Sequence, residues 1–190
     1  MNQSRFPCAY RSLALVLLLG SPVLLPVTGN EPVFGLPLEV WYAPEDEPLT
    51  RVVEIYSHAK RYIFVAVYGL TAPMAVKALV EAKKRGVDVR VLTDRERAAD
   101  EKQETALAAL RLAGIPVKVN QHDNLMHLKQ VVVDDEINMH GSMNHTTSGN
   151  RYNDERVDII RDRAVSVKAR DKFLSMWKDE TRYGEWKSGK

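Results

Sequence analysis

The chain has 190 residues, 45% of them apolar and 27% charged, a balance that fits one globular domain with a real core and excludes a disordered or low-complexity polymer. Its net charge of +2 traces to Arg5 and Arg11 in the first 29 positions, where no acid falls; the remainder is formally neutral, so attraction to a polyanion has to come from local patches and not from a global field. The single cysteine, Cys8, excludes a disulfide framework and a cysteine metal site in everything that follows it.

Residues 1–29 carry the marks of a secretory signal that is removed: Arg5 and Arg11 at the start, an apolar stretch from Leu13 to Leu19, then Pro22, Pro26 and the small residues of Val27-Thr28-Gly29. A retained membrane anchor is the alternative, disfavoured by the shortness of the run and by its prolines. The expectation is a periplasmic or secreted domain over residues 30–190, without stable membrane association once the signal is cut.

A lead-in from Glu31 to Pro37 precedes the alternating Leu38-Glu39-Val40-Trp41-Tyr42, which predicts a strand. Pro48 opens a helical stretch with Val52, Val53, Ile55, Tyr56 and Ala59 at helical spacing. The apolar run from Tyr62 to Tyr68 predicts a strand buried on both faces. A helix is predicted from Pro73 to Gly86, a strand over Val87–Leu92, one long helix over Glu96–Ala113 stopped by Gly114, and a strand over Ile115–Val119. This alternation predicts an α/β fold in a single domain, with a mixed, largely parallel sheet flanked by helices on both faces. Further on, Leu128–Val133, Ile137–Met139 and Val157–Ile160 read as short strands added to the sheet in antiparallel pairs, and Ala164–Thr181 as a closing amphipathic helix.

The segment that carries chemistry begins at His127. Residues two apart on a strand point the same way, so His127 and Lys129 share one face while Leu128, Gln130 and Val132 take the other. An imidazole beside an ammonium suits attack on a phosphate, the ring as nucleophile or proton carrier and the ammonium as a counter-charge for the non-bridging oxygens. Asp134-Asp135-Glu136 reads as a turn, which returns Gly141-Ser142-Met143-Asn144 to the end where His127 lies. Gly141 permits close backbone approach, and Ser142 and Asn144 can donate to a phosphate oxygen. Glu155 opens the next strand, where a carboxylate could fix the tautomer of an imidazole. Asp134 is a structural candidate more than a chemical one, since aspartate pairs are common turn formers. Arg151 and Arg156 flank this region and are candidates for phosphate backbone contacts.

Other residues have plainer readings. His122, His140 and His145 match no standard ligand spacing, so no metal is expected, and His58 falls on a predicted helix, partly exposed. Lys83-Lys84-Arg85 complements a helix C-terminus, and Trp177 and Trp186 read as packing or surface residues. Asn144-His145-Thr146 is a formal glycosylation sequon, where a sugar would block the region just described.

The pattern His127-x-Lys129-x4-Asp134-x6-Gly141-Ser142-x-Asn144 resembles the signature of the phospholipase D superfamily. Six fixed positions at these spacings arise by chance well below once in about a million starting points. Val67-Tyr68-Gly69-Leu70-Thr71, the stretch from Lys84 to Leu92, Gly114-Ile115-Pro116-Val117 and Asn153-Asp154-Glu155 extend the similarity over residues 38–182, toward the small bacterial endonucleases with one motif per chain. The resemblance implies a homodimer with twofold symmetry in which two motifs share one site. His127 of one copy would attack phosphorus and that of the partner would serve as acid and then base. Lys129 and Asn144 would hold the phosphate oxygens, Glu155 would orient His127, and no metal or cofactor would be needed. Nucleic acid is the implied partner; a lipid phosphodiesterase at a membrane and a non-catalytic scaffold on the same fold are the rival readings. Members of that group often carry an aromatic residue shortly after the asparagine, and here His145 stands there.

Overall fold

A computed structural model describes residues 38–188, so the expected signal and the lead-in lie outside the described residues. In chain order the elements are β1 (Leu38–Ala43), α1 (Pro48–His58), β2 (Tyr62–Val67), α2 (Pro73–Lys84), β3 (Asp88–Thr93), α3 (Arg95–Ala98), α4 (Glu101–Leu112), β4 (Val117–Asn120), β5 (Lys129–Val133), β6 (Ile137–Gly141), α5 (Thr147–Arg151), β7 (Glu155–Ile160), α6 (Arg163–Lys178) and β8 (Tyr183–Glu185). Pro48 and Pro73 each open a helix, the position where a missing N–H leaves no gap in the ladder.

The strands form one sheet in the order β1-β7-β6-β5-β2-β3-β4-β8. Only β2–β3 and β3–β4 are parallel; the other adjacent pairs run antiparallel. The expected largely parallel sheet is therefore corrected to a largely antiparallel one. The helical crossovers α2 and α4 enforce parallel pairing only among β2, β3 and β4, whereas β5, β6 and β7 follow one another through short connections that permit antiparallel return. β1 lies across the sheet at one edge, with Leu38 opposite Ile160 and Ala43 opposite Glu155.

Helices cover both faces, as expected. Ile63, Val65 and Val67 of β2 pack with α1, α2 and α4. Tyr62, Phe64 and Ala66 point the other way, into a cluster with Ala169, Phe173 and Met176 of α6. This period of two, with both faces buried, is why β2 reads as an unbroken apolar run. Phe64, Phe173 and Trp177 stack in series at centroid distances of 4.8 and 5.7 Å, and Trp186 is buried in the other cluster. Both tryptophans pack.

The single helix predicted over Glu96–Ala113 is two. Asp94 caps α3, accepting from the N–H groups of Glu96 and Arg97, and Asp100 caps α4, accepting from that of Lys102. Each aspartate competes with the helix ladder for nearby backbone donors, so the second one restarts the helix.

Candidate active site

The topology gathers four strand ends at one end of the sheet. β2 and β5 are antiparallel with Val67 opposite Lys129, so the end of β2 meets the beginning of β5. β6 returns beside β5 with His140 opposite Gln130, and β7 begins beside the end of β6 with Val157 opposite Gly141. His127, Lys129, Ser142, Asn144 and Glu155 consequently come to that end, beside Tyr68. Asp134 does not. It sits past the far end of β5 in the turn to β6, at φ 57°, and its carboxylate accepts from the backbone N–H groups of Lys60, Arg61 and Tyr62 at 2.7–2.8 Å. Five residues of strand put it roughly 17 Å from Lys129, and its partners make it a clamp between that turn and the start of β2.

The His127 ring is exposed and lies against Tyr68, with centroids 5.1 Å apart. Lys129 Nζ stands 3.0 Å from His127 Nε2, 3.0 Å from the His127 carbonyl oxygen and 5.3 Å from the centre of the Tyr68 ring. An ammonium has no lone pair to offer, so its contact with Nε2 requires that nitrogen to be unprotonated and the ring hydrogen to sit on Nδ1. Nε2 then carries the in-plane lone pair of the ring. Burial lowers the Lys129 pKa, an effect that the nearby Glu155 carboxylate opposes.

Asn144 is fixed by its oxygen. The Gly69 N–H donates to Asn144 Oδ1 at 3.0 Å, which leaves the NH2 group as the free end, the end that can donate to a phosphate oxygen. A side chain at Gly69 would crowd Asn144, with a Cβ 3.3 Å from its Cγ. A Cβ at Gly141 would collide with the carbonyl oxygen of Arg156, so this motif glycine is required by the contact between β6 and β7. His145, next in sequence, is not part of the open site. It is buried against Tyr56, whose ring it meets edge-on at 6.2 Å. Its carbonyl accepts from Thr71 and Ala72, and its N–H donates to Gly69.

Ser142 and Glu155 form a pair. Ser142 Oγ donates to one Glu155 oxygen, Asn153 Nδ2 donates to the other at 3.1 Å, and the Arg156 N–H donates to Ser142 Oγ at 3.1 Å. Within one chain the Glu155 carboxylate is thus held by Ser142 and Asn153, with no hydrogen bond to His127. Arg151 and Arg156 are exposed and engaged elsewhere, the first with Glu47 at 3.4 Å and the second with Asp158 at 2.8 Å. Among the described residues no group of three or more histidine, cysteine or acidic side chains could share an ion. His122 packs on Tyr183, His140 is exposed on β6, and His58 contacts the Glu54 carbonyl. Arg85 of the basic run donates to the Tyr56 carbonyl.

Several residues that position the site escape motif reading. Asp94 accepts from the Met126 N–H at 2.9 Å, and Asn120 holds the carbonyls of His122 and Asn124. Together they pin the loop that delivers His127. Gln103, on α4 and wholly buried, accepts from the Leu70 N–H and donates to Thr93 Oγ1 and the Tyr68 carbonyl, at 2.9, 2.8 and 3.3 Å. A buried glutamine facing the apolar side of a helix is the one sequence signal that could have pointed to it. Gln103→Leu is expected to cost about 1–3 kcal/mol of stability, by orphaning buried polar groups, and to lower kcat about tenfold as the Tyr68–Gly69 turn shifts. Denaturant titration beside steady-state kinetics checks both; unchanged stability and rate would remove Gln103 from this role.

The family described as "Cardiolipin synthase, PLD-like domain" matches residues 52–177. A mitochondrial cardiolipin hydrolase from Xenopus tropicalis is 30% identical over 157 residues, 81% of this chain and 73% of that protein. A phospholipase D from Rickettsia prowazekii is 31% identical over 127 residues, 66% of this chain and 58% of that protein. Among solved structures, Nuc from Salmonella typhimurium, described as a phospholipase D family member, is similar with a TM-score of 0.74 and 28% identity, over 80% of this chain and 98% of that one. NucT from Helicobacter pylori has the same fold, with a TM-score of 0.70 and 21% identity over 77% of this chain and 98% of that one.

Proposed function

From the premise that the chain belongs to the phospholipase D superfamily, and is a phosphodiesterase of it, we propose that it is a metal-independent endonuclease acting on DNA or RNA in a site shared by two copies of the chain. The observation that carries the choice of substrate is the cleft beside the site. Tyr68 and Asn144 open onto a cavity of about 800 Å3 whose lining side chains mostly carry hydroxyl, amide or charged groups, so that polar and apolar atoms share its surface about equally. An acyl chain would need a continuous apolar wall, whereas a sugar–phosphate strand matches this one.

His127 Nε2 attacks phosphorus, forming an N–P bond as the P–O bond to the leaving strand breaks. The partner's ring gives its proton to the leaving oxygen. That ring then takes a proton from water, whose oxygen displaces Nε2 and frees the phosphate end. Lys129 and the Asn144 amide offset charge on the non-bridging oxygens throughout. The Nδ1 hydrogen needs an acceptor. Since Glu155 makes no hydrogen bond to His127 within its own chain, where Ser142 and Asn153 hold it, the orienting bond from Glu155 is one for the paired assembly to make. The single motif per chain and the signal-like first 29 residues support a homodimer in the periplasm or outside the cell.

A lipid phosphodiesterase is the second reading. Leu38, Val40 and Tyr42 stand exposed on one face of the edge strand β1, a surface that could meet a membrane. Among the described residues no helix is long and apolar enough to cross one. The test incubates the purified protein, with excess chelator, with single-stranded DNA, duplex DNA, RNA, and vesicles of phosphatidylcholine or cardiolipin. Chelator-resistant cleavage of nucleic acid is expected; cleavage of lipid alone would overturn the endonuclease reading.

A further inference from the structure

The cleft continues past Tyr68 and Asn144 to the break between α3 and α4. There Arg97 and Lys102 both line it, because the restart at Asp100 sets the end of one helix and the first turn of the next against the same hollow. Arg97 Nη1 is braced by Asp100 at 3.1 Å, which fixes the guanidinium and leaves its other donors uncommitted. The Lys102 ammonium has no ion-pair partner among the described residues. Glu101 is the carboxylate on this wall and Asp100 is paired with Arg97, so what faces the hollow is the remaining guanidinium donors and the Lys102 ammonium, and Thr71 and Ser148 add hydroxyls. A single diester bound at His127, Lys129 and Asn144 would leave these cations unused. A strand with consecutive phosphates would not.

We propose that Arg97 and Lys102 form a second phosphate subsite, which holds a flanking phosphate of the same nucleic-acid strand while His127 attacks the scissile one. This rests on the endonuclease reading and adds that affinity and cleavage depend on a neighbouring phosphate. The neutral net charge of the chain beyond residue 29 then presents no obstacle, since the attraction is local.

The test uses a fluorescein-labelled oligothymidylate. In a His127→Ala background, which removes turnover, anisotropy is expected to report binding at least about tenfold weaker for Arg97→Ala/Lys102→Ala. The salt slope should also become shallower by roughly 1 per cation removed. Lys168→Ala/Lys172→Ala takes the same charge from α6, on the opposite face of the sheet, and should change binding less than about twofold. With His127 intact, Arg97→Ala/Lys102→Ala should lose at least about tenfold more kcat/KM on the oligonucleotide than on bis(p-nitrophenyl) phosphate, a lone diester. Equal losses on the two substrates would overturn the proposal, and so would equal weakening by the two charge-matched variants. A loss seen on cardiolipin vesicles and not on the oligonucleotide would reassign the subsite to a lipid diphosphate. A chain that binds the oligonucleotide through Arg97 and Lys102 but cleaves no diester would keep the subsite and sink the endonuclease reading.

Discussion

Replacing His127 with alanine lowers kcat by at least about a thousandfold and leaves stability within about 0.5 kcal/mol. The two halves of that expectation come from the same geometry. The ring is exposed, and its contacts are with Lys129 and Tyr68 at the rim of the cleft, so the fold loses little when it goes. In the proposed mechanism the reaction loses the atom that would become bonded to phosphorus, and neighbouring donors that only stabilise charge would not replace it. A shared site adds a sharper expectation. If two copies each supply one ring, mixing wild type with His127→Ala under conditions of subunit exchange makes activity fall as the square of the wild-type fraction, to about a quarter at equal amounts. Independent sites would give about a half, and a linear titration would sink the paired mechanism. Acid-labile phosphate on the wild type, absent from the variant, would identify the covalent intermediate.

The reason motif spacing locates this ring lies in the hairpin between β5 and β6. Asp134 and Asp135 both take positive φ, 57° and 60°, a conformation that aspartate tolerates better than most side chains, so a turn could be read there. A turn at that point forces Asn144 back to the level of Lys129. Strand direction was less legible. Alternating apolar runs indicate where strands fall but not which neighbour each one takes, and the pairing of β1 with β7 joins residues more than a hundred positions apart. The local pattern of Leu38–Tyr42 is the same for a parallel neighbour of β2 as for an antiparallel edge. The supporting polar residues were hidden for a related reason. Gln103, Asp94 and Asn120 act on backbone groups of distant segments, and a backbone N–H has no signature in sequence. The break at Asp100 was readable in principle, because an aspartate followed by Glu101 and, three residues on, by Gln103 is a helix-start pattern; the apolar periodicity running through it masked the restart.

Acid should destabilise this protein through His145 well before general carboxylate protonation does. The ring is buried between the turn that follows β2 and the Tyr56 side chain, and burial pushes its pKa down from 6.5 to about 4. Desolvation disfavours the charged form, so the folded chain keeps the ring neutral where the unfolded chain would protonate it. Between those two values the unfolded state binds more protons, and linkage makes stability fall as pH falls. The loss begins near pH 6.5 and reaches ~3 kcal/mol by pH 4, a large share of the usual stability of a domain. The same ring sits on the backbone that joins Asn144 to Gly69, Thr71 and Ala72, so activity should decline with the opening of this local structure. His145→Phe, an aromatic side chain without a titrating group, removes that proton uptake. Urea midpoints measured for wild type and His145→Phe from pH 7 to pH 4 should diverge progressively, with the wild type falling more steeply by ~3 kcal/mol in total. Parallel curves would mean that the ring takes up its proton without leaving its pocket, and that acid sensitivity has another source.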